Sequence, residues 1–229
     1  MSTDAKGMLP SGRQARFARF AQHFPVDWRW PEFGRTSNAA GARALRGDPG
    51  LIAFLTRFAG KSFKRGVYRA LRVSDIPVFT TRVAAAFPAY ADRICPFAYD
   101  WLSRIYCVDF ESTRQGQPTL TMFSHLTDEV IDIPLSIDEF HDECLVDQYE
   151  AALDAGMFER FLAVSGARRL KRDAGVSLKL PLFLNGEYAV ENMEMADVDV
   201  DWWIATQLRD QTRDLAPGAV IGSVSLNTG

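Results

Sequence analysis

Four short runs of sequence decide the fold class: Phe97–Trp101 (FAYDW), Ile105–Phe110 (IYCVDF), Thr119–Ser124 (TLTMFS) and Val130–Ile133 (VIDI). Each run is rich in β-branched and aromatic residues and is bounded by polar turn residues, a pattern typical of strands. No helical periodicity separates one run from the next. The four runs therefore predict a group of strands joined by short connections.

Helical patterns lie on both sides of these strands. Leu51, Phe54 and Phe58 recur at helical spacing after Asp48-Pro49, which has the form of an N-cap followed by proline at the first helical position. The stretch that begins at Ser136 and reaches Glu139 has the form of a capping box.

Near the C-terminus the sequence predicts a hairpin and a last helix. Leu180–Leu184, the pair Asn185-Gly186 and the residues from Tyr188 onward read as two strands joined by a tight turn. The last helix carries Ile204 and Leu208.

The order of elements predicts an α+β fold, with a mixed or mainly antiparallel sheet flanked by helices. Regular βαβ alternation is absent, which argues against a doubly wound parallel sheet. We divide the chain into an N-terminal domain, residues 1–145, and a C-terminal domain, residues 146–229, packed against it. Residues 1–12 are small, polar and unpatterned, and we expect them to be disordered.

The composition excludes several classes of protein. The 229 residues are 47% hydrophobic and 24% charged, which is the ordinary globular mixture. No window approaches 18 consecutive apolar residues, and the first 16 residues lack the apolar region of a secretory signal. Cys95, Cys107 and Cys144 are odd in number and widely spaced. We therefore expect three reduced thiols, a cytoplasmic location and no membrane partner.

The small net charge of -3 conceals a strong asymmetry. Residues 1–94 contain 16 lysines and arginines and 6 acidic residues, whereas the rest of the chain contains 10 and 23. Two interpretations remain open. Either the two parts neutralise each other across a shared interface, or one part presents its field to a charged partner.

No catalytic or metal-binding motif is complete. Gly60-Lys61-Ser62 resembles the end of a phosphate loop, but Leu55 stands where the motif needs its first glycine. Neither zinc spacing nor a GxSxG elbow occurs. His141 is followed directly by Asp142 and Glu143, but adjacent residues on a helix do not face each other. We therefore expect His141 to be packed in the core or to cap a helix. The sequence therefore favours a binding protein without cofactor, metal, catalytic residue or small-molecule substrate.

The densest run of carboxylates lies between residues 187 and 201. The alternation in Asp197-Val-Asp199-Val-Asp201 predicts a strand end with Val198, Val200 and Trp202 directed inward. Asp199 or Asp201 is also placed to cap the helix that follows. We take this stretch as the candidate partner-binding site, with an exposed tryptophan as its anchor. Its members are Glu187, Glu191, Glu194, Asp197, Asp199, Asp201, Trp202 and Trp203.

Four further stretches, in this order, resemble the bacterial GAD-like domain and the immunity-type domain that follows it. They are Phe58–Arg69 (FAGKSFKRGVYR), Pro96–Tyr106 (PFAYDWLSRIY), Pro134–Val146 (PLSIDEFHDECLV) and Pro181–Glu194 (PLFLNGEYAVENME). Trp203 and Gln207-Leu208 continue the last of them. The resemblance extends over most of residues 50–215. Asn185, where glycine is usual, and the pair Lys64-Arg65 depart from the pattern.

This resemblance implies an immunity protein of a type VI secretion system, with a more distant likeness to Smi/Knr-like domains. Such a protein binds and neutralises a cognate antibacterial effector, here expected to be a DNase. Because a DNase must bind phosphates, its surface would be basic and would suit the acidic part of this chain. Two alternatives remain: a DNA-binding autoregulator that uses the basic N-terminal half, although no known nucleic-acid-binding motif occurs, and an enzyme with an unrecognised site.

Overall fold

A computed structural model describes residues 16–31, 43–212 and 214–215 of the chain. Seven strands form one antiparallel sheet in chain order, and two more pair with each other in a second sheet. The strands are β1 (Val26–Arg29), β2 (Lys61–Phe63), β3 (Tyr68–Ala70), β4 (Ile94–Asp100), β5 (Ile105–Arg114), β6 (Gln117–Ser124), β7 (Glu129–Ile133), β8 (Ala174–Leu178) and β9 (Met193–Asp197). The predicted α+β class and the four predicted strands are confirmed, while residues 1–12 lie outside the described part.

Helices flank the sheets. They are α1 (Ala18–His23), α2 (Pro49–Phe58), α3 (Ile76–Ala86), α4 (Ile137–Glu139), α5 (Leu145–Asp147), α6 (Tyr149–Leu153), α7 (Ala155–Ser165) and α8 (Val198–Thr212). A π-helical turn, Phe140–Cys144, joins α4 to α5. No helix within the described ranges is long and apolar enough to cross a bilayer.

The two predicted helix starts are confirmed. Asp48 Oδ1 accepts a hydrogen bond from the amide of Leu51 at 2.6 Å, and Pro49 occupies the first position of α2. Ser136 and Glu139 form the reciprocal bonds of a capping box. Both helix starts therefore follow from local side-chain chemistry.

The hairpin predicted around Asn185-Gly186 is wrong. Leu182–Leu184 forms a 3-10 turn that ends at Asn185, whose φ of 66° lies in the left-handed region. The amide of Gly186 donates to the carbonyl of Pro181, and a Cβ on Gly186 would lie 1.8 Å from the carbonyl oxygen of Leu180. These two residues thus fold a compact loop, and the strands that pair are β8 and β9.

Trp101 joins the two halves of the chain. Its indole nitrogen donates to the carbonyl of Leu153 at 2.7 Å, and its ring packs 5.4 Å from that of Phe158. Its carbonyl accepts from the amide of Val176 in β8 at 2.7 Å. The predicted boundary after residue 145 falls within α5. Residues from both sides of this boundary share one hydrophobic core.

Asp100 holds the turn that follows β4. Its carboxylate is fully buried and accepts hydrogen bonds from the amides of Leu102 and Arg104, both at 3.0 Å. It also accepts from the Arg104 guanidinium and from the Tyr106 hydroxyl. A buried charge with this many donors is stabilised, because each lone pair has a partner.

Arg69 is fully buried beside this turn and connects β3 to the segment before β8. Its guanidinium donates to the carbonyls of Asp100, Lys171 and Ala174 and lies over the ring of Tyr99. Burial lowers the pKa of Arg69. The cation is therefore held by backbone carbonyls and an aromatic face.

His141 is packed among aromatic rings, as we predicted from the sequence. Its imidazole is fully buried among rings that include Phe17, Phe20 and Phe54. Nδ1 lies 2.7 Å from the carbonyl of Ile137, and Nε2 lies 3.0 Å from the hydroxyl of Tyr68. Burial lowers the pKa of His141 to about 3, so the ring is neutral in the folded protein at physiological pH.

We predict that Asp100→Ala destabilises the protein by about 3–5 kcal/mol, because it removes the counterion of the half-buried Arg104 and leaves two backbone amides and the buried Tyr106 hydroxyl without this acceptor. Chemical denaturation measures the effect. The matched control is Asp92→Ala, since the Asp92 residue is exposed. Equal stabilities of the two variants would contradict the role of Asp100.

We also predict that protonation of His141 contributes to acid unfolding. The folded-state pKa is depressed, so the unfolded chain binds the proton first and stability decreases as pH falls below about 6.5. Between pH 6.5 and pH 5 the loss is about 2 kcal/mol at roughly 1.4 kcal/mol per pH unit. His141→Phe should flatten this part of the profile measured by chemical denaturation, and an unchanged profile would contradict the role of His141.

Candidate partner-binding face

The eight residues predicted to bind a partner lie in three consecutive elements: the loop after Leu184, strand β9, and the first two turns of α8. The structure divides them into two groups. Asp201 and Trp202 are buried, and the other six are exposed.

Trp202 is therefore not an anchor for a partner. Helix α8 begins at Val198, so Val198 and Trp202 face inward one turn apart, while Val200 is 52% exposed. The indole nitrogen of Trp202 donates to the carbonyl of Ser103 at 2.8 Å, and the residue is 0% exposed. The predicted strand-like alternation fails because these residues follow a period of 3.6 instead of 2.

Asp201 is likewise internal, and it ties α8 to the rest of the molecule. Its carboxylate accepts from the hydroxyl of Ser177 in β8 and lies 2.6 Å from Nε2 of His125, which follows β6. The acid stands between the serine and the histidine, so these bonds give the imidazole no path to the serine proton. The cluster is an internal tether and lacks the order of a nucleophilic triad.

Asp197 caps α8, in place of Asp199 or Asp201. Its Oδ1 accepts from the amides of Asp199 and Val200 at 2.9 and 3.2 Å. A carboxylate at this end of a helix satisfies free amides and interacts favourably with the helix dipole. Asp197 is exposed, yet one of its oxygens already has a structural function.

Asp199 is the counterion of an arginine from the basic half of the chain. It forms an ion pair with Arg82 of α3, whose side chain is only 9% exposed. Burial lowers the pKa of Arg82 to about 10, because the desolvated cation is costly. For Asp199, the interpretation in which the two halves neutralise each other is therefore correct.

Other ion pairs follow the same pattern, in which an arginine before residue 94 meets a carboxylate after residue 108. They are Arg16–Asp138 at 3.3 Å, Arg19–Asp147 at 2.6 Å, Arg65–Glu159, Arg93–Asp109 at 2.5 Å and Arg93–Glu111 at 3.6 Å. Much of the charge asymmetry in the sequence is thus used inside the folded chain.

Glu187, Glu191 and Glu194 differ from these acids. All three are exposed, and none forms an ion pair with another described residue. Close in sequence, Val200 and Trp203 stand three positions apart on α8 and are 52% and 38% exposed. We call these five residues the acidic segment.

Asn192 fixes the loop that carries Glu187. Its side-chain oxygen accepts from the amide of Leu180 at 3.0 Å, and its nitrogen donates to the carbonyls of Leu180 and Glu187, each at 2.8 Å. The hydroxyl of Tyr188 donates to Asp154 and ties the loop to the start of α7. Our sequence reasoning gave Asn192 no role, although the residue stands within the stretch that resembles immunity-type domains.

A groove lies beside this loop. It has a volume of about 250 Å³ and is lined by Leu102, Arg104, Met122, Ser124, Leu126, Thr127, Glu129, Ile131, Asp154, Leu182 and Tyr188. The residues come from β6, β7 and several connecting segments between Leu102 and Tyr188, so no local motif could have revealed the groove. Elsewhere in the described ranges, no cluster of histidine, cysteine and acidic residues is arranged to hold a metal ion.

Comparison with known proteins gives one fold-level result. No protein-family model matches the chain, and no curated protein matches it significantly. Among solved structures it is similar to the crystal structure of Atu4351 from Agrobacterium tumefaciens, with a TM-score of 0.62 and 20% identity. The similarity covers 83% of this chain and 88% of that chain. At this level of identity the two proteins share a fold.

We predict that charge reversal separates the structural acids from the free ones. Asp199→Lys should lower the free energy of unfolding by more than about 1 kcal/mol, because it leaves the buried Arg82 beside a like charge. Glu191→Lys and Glu194→Lys should each change it by less than about 0.5 kcal/mol, because exposed unpaired charges contribute little. Thermal and chemical denaturation of the three variants tests the distinction, and a similar loss in all three would contradict it.

Proposed function

We propose that this protein is an immunity protein that forms a tight stoichiometric complex with a nuclease effector of a type VI secretion system and keeps it inactive in the cytoplasm of the producing cell. The observation that carries the proposal is the acidic segment. Its three glutamates are exposed without an internal ion pair in the described chain, whereas Asp199 is paired with Arg82 and Asp197 caps a helix.

A nuclease is the kind of partner that this segment fits. Its active surface must attract DNA phosphates and is therefore expected to be rich in lysine and arginine. Glu187, Glu191 and Glu194 offer the opposite charge, and long-range attraction between such surfaces accelerates association.

The family resemblance contributes the biological setting, and its residues agree with a binding scaffold. Arg69, Trp101 and His141 lie in the resembling stretches and are buried, with contacts that hold the sheet and helices together. Asn192 shapes the loop that carries Glu187. These roles are structural, so partner choice would reside in the exposed side chains around them.

One observation favours the second candidate, a DNA-binding autoregulator. Arg29 and Arg57 line a groove of about 530 Å³ beside Trp30, between β1 and α2. Burial lowers the pKa of the neighbouring Lys61, and the positive charges of Arg29 and Arg57 lower it further. Such a group of cations would suit a phosphate backbone.

Two experiments decide between these functions. Affinity purification of the tagged protein from its native strain should recover a nuclease in a 1:1 complex, and co-expression should restore growth to cells that produce this nuclease. Recovery of a promoter fragment without any protein partner, with binding lost in Arg57→Ala, would support the autoregulator and overturn the immunity proposal.

We predict that a triple reversal, Glu187→Lys, Glu191→Lys and Glu194→Lys, slows association with the toxin at least tenfold at low salt and reduces its salt dependence. Stopped-flow fluorescence at two salt concentrations measures both effects.

The matched control reverses Asp92, Glu143 and Glu150, which are exposed elsewhere and change the net charge by the same amount. Equal association rates for the two triple variants would show that only net charge matters, and would exclude the acidic segment as the docking site.

A further inference from the structure

The interface proposed above lacks a buried anchor on this protein. Strong interfaces concentrate their energy in a few apolar or aromatic side chains that fill pockets. Trp202, one of the two tryptophans expected to anchor a partner, is fully buried within the fold. The chain does offer a groove close in sequence to Glu187, and such a groove can receive an anchor from the other partner.

We infer that the groove between β6, β7 and the Leu182–Tyr188 loop receives an apolar side chain of the toxin that is flanked by basic residues. This inference rests on the proposed function and deepens it. It names a second contact region, adjacent in sequence to Glu187, and the chemistry of the toxin segment that would occupy it.

The shape and lining of the groove fit an apolar side chain. Leu102, Met122 and Leu126 are buried, whereas Ile131 is 43% exposed and Tyr188 is 38% exposed. The volume of about 250 Å³ is sufficient for one large side chain. Apolar surface of this kind gains free energy when a partner removes it from water.

The charges at the groove favour basic residues beside that side chain. Glu129 and Asp154 contribute carboxylates, and Asp154 accepts the hydrogen bond from Tyr188. The one cation in the lining, Arg104, is neutralised by its buried partner Asp100. The groove lining is therefore mainly apolar and, with Arg104 neutralised, carries a net negative charge.

The same charges argue against a second copy of this chain as the occupant. Pairing two grooves would bring together two linings that each carry Glu129 and Asp154, and like charges in an interface are repulsive. A basic partner would instead be attracted by these carboxylates.

Methyl NMR of the full-length protein tests the chemistry directly. The probe is the peptide acetyl-KKFKK-amide, with acetyl-KKSKK-amide and acetyl-EEFEE-amide as controls. The first peptide should produce saturable shifts in the methyl groups of Leu126, Ile131 and Leu182, and the controls should not. Equal shifts with KKSKK, no shifts with KKFKK, or contacts in the free protein between these methyls and residues 216–229 would each overturn the inference.

A pair of variants tests the groove with the toxin itself. Ile131→Lys places a cation at the edge of the groove, and Val78→Lys makes the same change at an exposed apolar position on α3. Ile131→Lys should accelerate toxin dissociation at least tenfold and abolish the peptide shifts, whereas Val78→Lys should change neither. Toxin binding that is equally tight in both variants rejects the groove alone, while a wild-type protein that binds no toxin rejects the proposed function.

Discussion

The turn at Asp100 and Trp101 is the constraint on which the rest of the structure depends. A buried carboxylate collects the donors of its own turn, and the adjacent indole reaches across to α6 and α7. The backbone of Trp101 also accepts from β8. Because these bonds begin at one point of the main sheet, the second sheet and the C-terminal helices are fixed relative to it.

Many of the charged side chains in this chain form ion pairs within the fold. The arginines of the first half are drawn to carboxylates of the second half, and Arg82 shows why: a cation that has lost its water needs a close counterion. The exposed, unpaired charge is what remains after these internal ion pairs have formed. A count of charges in the sequence overestimates this unpaired charge, because it cannot show that Asp199 is paired with Arg82 whereas Glu191 forms no ion pair with a described residue.

The sequence predicts the elements whose causes are local. The strands from Phe97 to Ile133 and the helix starts at Asp48 and Ser136 follow from alternation and capping chemistry that act within a few residues. The loop at Asn185-Gly186 and the start of α8 also have nearby partners, Pro181 and Asn192 for the loop and the Asp197 cap for the helix, but strand alternation does not reveal them. The inward positions of Asp201 and Trp202 could not be predicted, because they depend on Ser177, His125 and Ser103, which are distant in sequence.

The hydrogen bonds of Asn192 bear on which positions of its loop can change during evolution. Asn192 holds the loop by bonds to the backbone of Leu180 and Glu187, so the side chain of Glu187 is not needed for the shape of the loop. Substitutions at the exposed positions can accumulate without loss of the fold. Under the proposed immunity function, a change of partner would then require substitutions only at exposed positions such as Glu187, while the core sequence stays recognisable.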